Sequence, residues 1–270
     1  MSNVVVFGNQ KGGVGKSTLS VLYALWLADL HHHSVCFIDL DAQGNASKTL
    51  QACDSQVRSV DLFAEEAWPV VPTCLLAGQR PVVLLAATRE LADIELAKPE
   101  AVVPAFRHNV RQLAQSFDTV VIDTPPTLGL RMSAALIAAT RAVCPIELEE
   151  YSMDGVVDML KTIFGIRQRY NPRLELAGIV LNRVNPRSAR QKAAIQQLVL
   201  SYPDFVIPAR ISTRSAIPEA LAEGKAVWEL GKSSAREAGA EIKGAFTALH
   251  LRIERSQDTT TAATNAEVAP

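Results

Sequence analysis

Residues 9–18 read Asn-Gln-Lys-Gly-Gly-Val-Gly-Lys-Ser-Thr, a run in which small residues surround two lysines and two hydroxyls. Glycines at 12, 13 and 15 let backbone N–H groups turn toward an anion, and a helix N-terminus just beyond adds partial positive charge. Such a loop suits the phosphate chain of a nucleotide. The phosphate-binding consensus is Gly-x-x-x-x-Gly-Lys-Ser/Thr between a strand and a helix. Gly15, Lys16 and Ser17 fill its last three positions, while Gln10 stands at the first glycine. In that scheme Gly12, Gly13, Val14 and Gly15 form the cradle, and Lys16 reaches the β- and γ-phosphates. Ser17 holds Mg²⁺, and Thr18 caps the helix start near the α-phosphate. Lys11 departs from the scheme. Two lysines on one small loop repel each other over a single phosphate chain, so Lys11 makes sense if it points to another molecule's nucleotide.

Two later stretches carry acids at the ends of apolar runs. Val35–Ile38 is followed by Asp39-Leu40-Asp41-Ala42-Gln43-Gly44-Asn45, and Thr119–Ile122 by Asp123-Thr124-Pro125-Pro126. Mg²⁺ prefers hard oxygen ligands and retains several waters. An acid at a strand end is equally a common turn former or helix cap. Three of them, in order behind a phosphate loop, argue for chemistry.

The elements that must position these groups alternate strand and helix. Strands are expected at Val4–Gly8, Val35–Ile38, Val82–Ala86, Thr119–Ile122, Ala142–Ile146, Ala177–Leu181 and Phe205–Ile207. Helices are expected at Ser17–Leu30, Glu100–Gln115, Met132–Thr140, Met153–Tyr170, Ala189–Leu200 and Ser234–Ile253. The fold class implied is α/β, a doubly wound, mostly parallel sheet flanked by helices, with ligands at the carboxyl ends of the strands. Residues 1–255 form one domain. Residues 256–270, rich in Thr and Ala, are expected to be disordered. Pro69 and Pro72 point to a loop within the poorly patterned stretch 51–80. Ile242, Phe246, Leu249 and Ile253 give the last helix an apolar stripe that suits core packing better than a membrane surface.

Composition narrows the classes. Hydrophobic residues make up 48% and aromatics only 6%, which fits an aliphatic core around a parallel sheet. No run reads as a bilayer span or a secretory leader, so a cytoplasmic protein is expected. Cys36, Cys53, Cys74 and Cys144 are scattered and read as small core residues rather than cluster ligands. His31–His33 reads as an exposed turn rather than a metal site. The formal net charge is −1, but it is uneven: Arg183–Arg255 holds 12 Lys or Arg and 7 Asp or Glu, against 15 and 21 elsewhere. That excess is a weak pointer to nucleic acid.

The layout Lys-Gly-Gly-x-Gly-Lys-Ser-Thr is the deviant Walker A signature, and from it the chain resembles the ParA/MinD family of P-loop ATPases. The resemblance covers roughly residues 3–250. It includes the Asp39–Asn45 switch, with Ala42 in place of the usual Pro, the Val120–Pro126 stretch and Pro145–Ser152. Val180–Arg183 and Ile207–Ser215 also match. It is strongest to plasmid and chromosome partition ATPases, especially the IncC type. The resemblance implies catalysis by Lys11, Lys16, Asp39 and Asp41, with Lys11 acting across a two-fold interface as an arginine finger does. It implies that Asp39 orders the Mg²⁺ shell, Asp41 positions the attacking water and Asp123 faces Mg²⁺ through water. Asn182 matches an adenine-edge position, though it also suits a strand-end turn, and Pro208 matches a base-packing position.

The implied partners are ATP with Mg²⁺, a second copy of the chain in the ATP state, nonspecific DNA and a ParB-like centromere-binding protein. Arg214 matches a family DNA contact. Arg210, Lys225, Lys232 and Arg236 are candidates by charge and location, and equally read as solvated surface charge. No helix-turn-helix precedes the first strand, so operator reading is not expected. A stable membrane association is not expected either. A membrane-associated MinD-like regulator and a positioner of a non-DNA cargo are the alternatives.

Overall fold

The computed structural model describes residues 3–65, 81–148 and 152–267, with side chains described for 155–255 of the last stretch. The expected loop at Pro69 and Pro72, Cys74, and the matching residues Glu149–Tyr151 lie outside the described residues. Eight strands form one sheet: β1 (Asn3–Phe7), β2 (Val35–Asp39), β3 (Asp54–Arg58), β4 (Val82–Ala86), β5 (Thr119–Asp123), β6 (Arg141–Glu147), β7 (Glu175–Val184) and β8 (Val206–Ser212). Their order is β3-β4-β2-β5-β1-β6-β7-β8, and every pairing is parallel.

Among the described residues eight α-helices accompany them: α1 (Lys16–His31), α2 (Asn45–Thr49), α3 (Pro99–Ser116), α4 (Leu130–Ala138), α5 (Ser152–Arg169), α6 (Ala189–Ser201), α7 (Ala216–Ala222) and α8 (Ser233–Glu267). From β1 the chain crosses through α1 to β2 on one side. From β5 it crosses through α4 to β6 on the other. The crevice at the carboxyl ends of β1 and β5 is therefore the topological switch point, where doubly wound sheets place their ligands.

β2, β4 and β5 are buried along their whole length, as expected for strands covered on both faces. One core layer joins β1 and β5 to α3, α4 and α5, with Phe106, Met132 and Ile163 fully buried. The other packs α1, α7 and α8 on the opposite face, around Tyr23, Trp26 and Phe246. Cys36 and Cys144 are buried core residues, as their scatter suggested.

Three elements escaped the sequence reading. β3 is a polar edge strand whose register on β4 shifts around Gln56, held at φ 67. It has no apolar alternation to announce it. α2 and α7 span only five and seven residues, too short for a helical period. β8 runs longer than expected and includes Pro208, which an edge strand tolerates.

α8 also differs. Ile242, Phe246, Leu249 and Ile253 are fully buried, so its apolar stripe is core. Its backbone stays helical to Glu267, across most of the tail expected to be unstructured. Residues 256–267 contain neither Gly nor Pro, and a helix already nucleated propagates through such a stretch easily. α1 ends where His32 takes the left-handed position at φ 56, a conformation glycine adopts more readily.

Phe246 lies 5.2 Å from Tyr23 and 6.0 Å from Trp26 between ring centroids, locking α8 onto α1. Phe246→Ala should therefore cost about 3–5 kcal/mol of stability, read as a lower urea midpoint. A midpoint equal to that of the unsubstituted chain would show that α8 does not depend on this packing.

Candidate nucleotide and magnesium site

The loop after β1 is pinned before it can cradle anything. Asn9 donates its amide Nδ2 to the Pro145 carbonyl at 2.7 Å and accepts from the Lys11 N–H at 2.9 Å. Gln10, in place of the usual first glycine, donates to the Thr162 hydroxyl on α5 at 3.0 Å. Both walls of the loop are thus tied to neighbouring elements. Gly13 and Gly15 sit at φ 79 and 90, where a side chain is strained. At Gly15 space is also closed, since a Cβ there would lie 2.2 Å from Asn182 Nδ2. That amide, at the end of β7, donates to the Val14 carbonyl at 2.9 Å.

Lys16 opens α1 and is 6% exposed, with Nζ donating to the Lys11 carbonyl at 3.0 Å. Burial lowers its pKa, while the Asp123 and Asp41 carboxylates pull it back up. Ser17 and Thr18 follow, half-buried, and Lys11 is half-buried at the rim.

Asp39 and Asp123 are register partners at the ends of β2 and β5, so the fold sets two carboxylates side by side. Asp39 is well supplied with donors. Its Oδ2 accepts from the Ser47 N–H at 2.8 Å and the Ser47 hydroxyl at 2.7 Å, and its Oδ1 accepts from the Asp41 N–H at 3.0 Å. Burial still pushes it up to about 6, with those hydrogen bonds opposing and the Asp41 charge adding. Asp123 has no such support. Both its carboxylate oxygens are buried without a well-formed hydrogen bond. Burial first, then the Asp39 charge, raises it well above the ordinary carboxylate range, against the Ser17 hydroxyl and the Lys16 ammonium. Asp41 is more open, and its Oδ1 accepts from the Gln43 N–H at 3.1 Å.

This donor set fits Mg²⁺. Two orphaned carboxylate oxygens, a neighbouring carboxylate and a serine hydroxyl are hard ligands around a site short of positive charge. Among the described residues no group of three or more His, Cys, Asp or Glu could hold a metal. Ser17, Asp39 and Asp123 are the groups here that could hold or face such an ion.

Several supporting residues gave no sequence signal. Ser47 bridges Asp39 to the Ala87 N–H, which it accepts at 2.9 Å. Arg131, buried on α4, donates to the Leu40 carbonyl at 2.9 Å and pairs with Glu95 at 2.8 Å. Thr124 donates its hydroxyl to the Phe7 carbonyl at 2.7 Å, joining the ends of β5 and β1. Ser47 and Arg131 belong to no recognisable spacing, and Thr124, though within the Val120–Pro126 stretch, shows its role only where the sheet brings the strand ends together.

The remaining candidates are dispersed. Pro208 is exposed on β8. Arg214 is held by Glu237 at 2.6 Å and Glu241 at 2.8 Å, Lys225 by Glu223 at 2.9 Å, and Lys232 by Glu219. Arg210 and Arg236 are exposed and form no ion pair among the described residues.

The buried carboxylate pair predicts a pH signature in the metal-free, nucleotide-free protein. A carboxyl raised in the folded state costs stability once pH exceeds its ordinary value near 3.8, and the cost is complete above its folded pKa. Asp123→Asn removes that cost, so the variant should melt higher than the parent at pH 8. The gain should shrink as pH falls toward the ordinary carboxylate range, where that cost disappears. A gain independent of pH, or none at pH 8, would refute the raised pKa.

The AAA domain family matches residues 2–176. Protein IncC of Escherichia coli is 39% identical over 263 residues, covering 94% of this chain and 70% of that protein. The chromosome-partitioning ATPase Soj of Thermus thermophilus is 31% identical over 244 residues, covering 85% of this chain and 89% of Soj. The ATP complex of Cyanothece McdA superposes with a TM-score of 0.73 at 20% identity, covering 92% of this chain and 96% of McdA. With the loop, its two lysines and the three strand-end carboxylates in place, the chain belongs to the ParA/MinD family of deviant Walker A P-loop ATPases, enzymes that hydrolyse ATP with Mg²⁺.

Proposed function

We propose that this chain is a partition-type ATPase, an ATP-dependent dimer that is retained on nonspecific DNA and released when a ParB-like partner stimulates hydrolysis. The observation that carries the reading is the division of labour between two lysines on one loop. Lys16 is buried beside Asp123, while Lys11 stands at the rim. A partly exposed lysine outside the buried Lys16 position supports action on a nucleotide held by a second subunit, and the relatives include a protein named as a chromosome-partitioning ATPase. A membrane-binding α8 gains no support, because its apolar stripe is used in the core.

In this reading Gly12–Gly15 and the start of α1 bind the triphosphate through backbone N–H groups, and Lys16 neutralises its inner oxygens. Mg²⁺, when bound, supplies the positive charge that draws electron density from the phosphates. Asp41, accessible and one residue beyond the clamped Leu40, orients water for in-line attack. Lys11 of the second subunit stabilises the charge that develops on the transferred phosphoryl group.

Lys11→Ala should keep ATP binding but lose the ATP-dependent dimer, and hydrolysis should fall by about 10³-fold or to the detection floor. Sedimentation and single-turnover hydrolysis measure both; an unaffected dimer with normal turnover would end the trans mechanism. Asp41→Ala should trap the ATP-bound dimer on DNA with hydrolysis blocked. Unchanged turnover in that variant would remove Asp41 from the reaction.

A further inference from the structure

Three cations of the Arg183–Arg255 segment, Arg214, Lys225 and Lys232, are tied to glutamates of the same segment, which leaves its charge excess unchanged but engages these side chains. A different region has the opposite character. Between Glu100 and Asp118 the chain carries Arg107 and Arg111 and no acid; between Asp158 and Glu175 it carries Lys161, Arg167, Arg169 and Arg173 and no acid. Among the described residues none of these five arginines forms an ion pair.

The fold brings the two stretches together. Arg107 and Arg111 are one turn apart on α3 and share a face. α4 packs against both α3 and α5 and is only nine residues long. The turn after α5 folds over its end, where buried Asn171 donates Nδ2 to the Leu136 carbonyl at 3.1 Å and the Ala139 carbonyl at 2.6 Å. That stitch sets Arg173 just beyond the end of α4, the helix that packs on α3. The Arg107 guanidinium feels burial first and then the like charges of Arg111 and Arg173. Tyr170, 58% exposed, stands in the same turn. Helices that follow parallel strands run back toward the strand starts, so this face lies away from the nucleotide loop and leaves that pole free for a second subunit.

Unpaired arginines held together against their mutual repulsion are stabilised by an anion shared among them. Arginine's planar fork suits phosphate oxygens, and Tyr170 adds a flat surface. Protein interfaces place apolar anchors at their centre and deplete charge there, which this face does not do. We propose that the arginine face of α3 and the α5–β7 turn, centred on Arg107, Arg111 and Arg173, is the principal surface that grips the phosphate backbone of duplex DNA. It rests on the DNA-retained ATPase reading above and assigns that retention to residues outside the Arg183–Arg255 segment.

The test is fluorescence anisotropy of a random-sequence DNA duplex with the full chain in ATP and Mg²⁺, across 50 to 200 mM salt. The Arg107→Gln/Arg111→Gln/Arg173→Gln variant should bind about tenfold or more weakly, and its log–log salt slope should be shallower by about 2–3. The corresponding triple Lys variant should retain most of the affinity. Basal ATP hydrolysis and melting temperature should stay at the parent values, and single Arg111→Gln serves if the triple variant is unstable. Parental affinity and slope in the Gln variants would overturn the assignment while leaving DNA retention intact. A parent chain that binds no DNA with ATP, or binds anionic lipid vesicles in its place, would overturn both.

Discussion

Two carboxylates, Asp39 and Asp123, face each other across adjacent parallel strands, and the rest of the site is arranged around that conflict. Parallel pairing in register leaves them no freedom to separate. Burial makes the charged pair costly, and Lys16 brings a full positive charge close to Asp123. A second cation with its own oxygen ligands resolves the conflict completely. The strand register thereby creates a demand for positive charge at this end of the sheet, beside the glycine loop. The structure tolerates Gln10 at the first glycine position: the loop is pinned by Asn9 and Gln10 to β6 and α5 instead.

Much of this was legible from residue order. The loop, the strand-end acids and the alternating pattern are local, because each depends on residues within a few positions of one another. What stayed hidden depends on distant pairing. Asn182 reads as a turn former or a base contact, yet its amide fills the space that Gly15 leaves open and bonds the Val14 carbonyl 168 residues earlier. Ser47 and Arg131 look like ordinary helix residues until the sheet sets them against Asp39 and Leu40. β3 lacked any apolar rhythm because it lies at an edge and pairs with one neighbour.

Charge was the least legible property. Summing lysines and arginines over Arg183–Arg255 counts residues such as Arg214, whose guanidinium ties β8 to α8 through Glu237 and Glu241. Ser212 is bonded to the same Glu241 carboxylate through both its N–H and its hydroxyl, so this arginine belongs to the joint between strand and helix. A linear count cannot separate such internal ties from cations facing water, because the separation depends on which helix faces are apposed.

The anchoring of the Asp39–Asn45 segment is unequal, and that fixes how it can move. Its first residue is bolted down by Ser47 and the Asp41 N–H, and the carbonyl of the next is clasped by Arg131. From Asp41 onward the ties are local, ending at Gly44 with φ 61. The segment is therefore a short arm carried on a stationary post. In the partition-type reading, the acid proposed to order the metal would keep its station while the one proposed to orient water travels, so that grip on nucleotide and timing of its cleavage would be tuned separately.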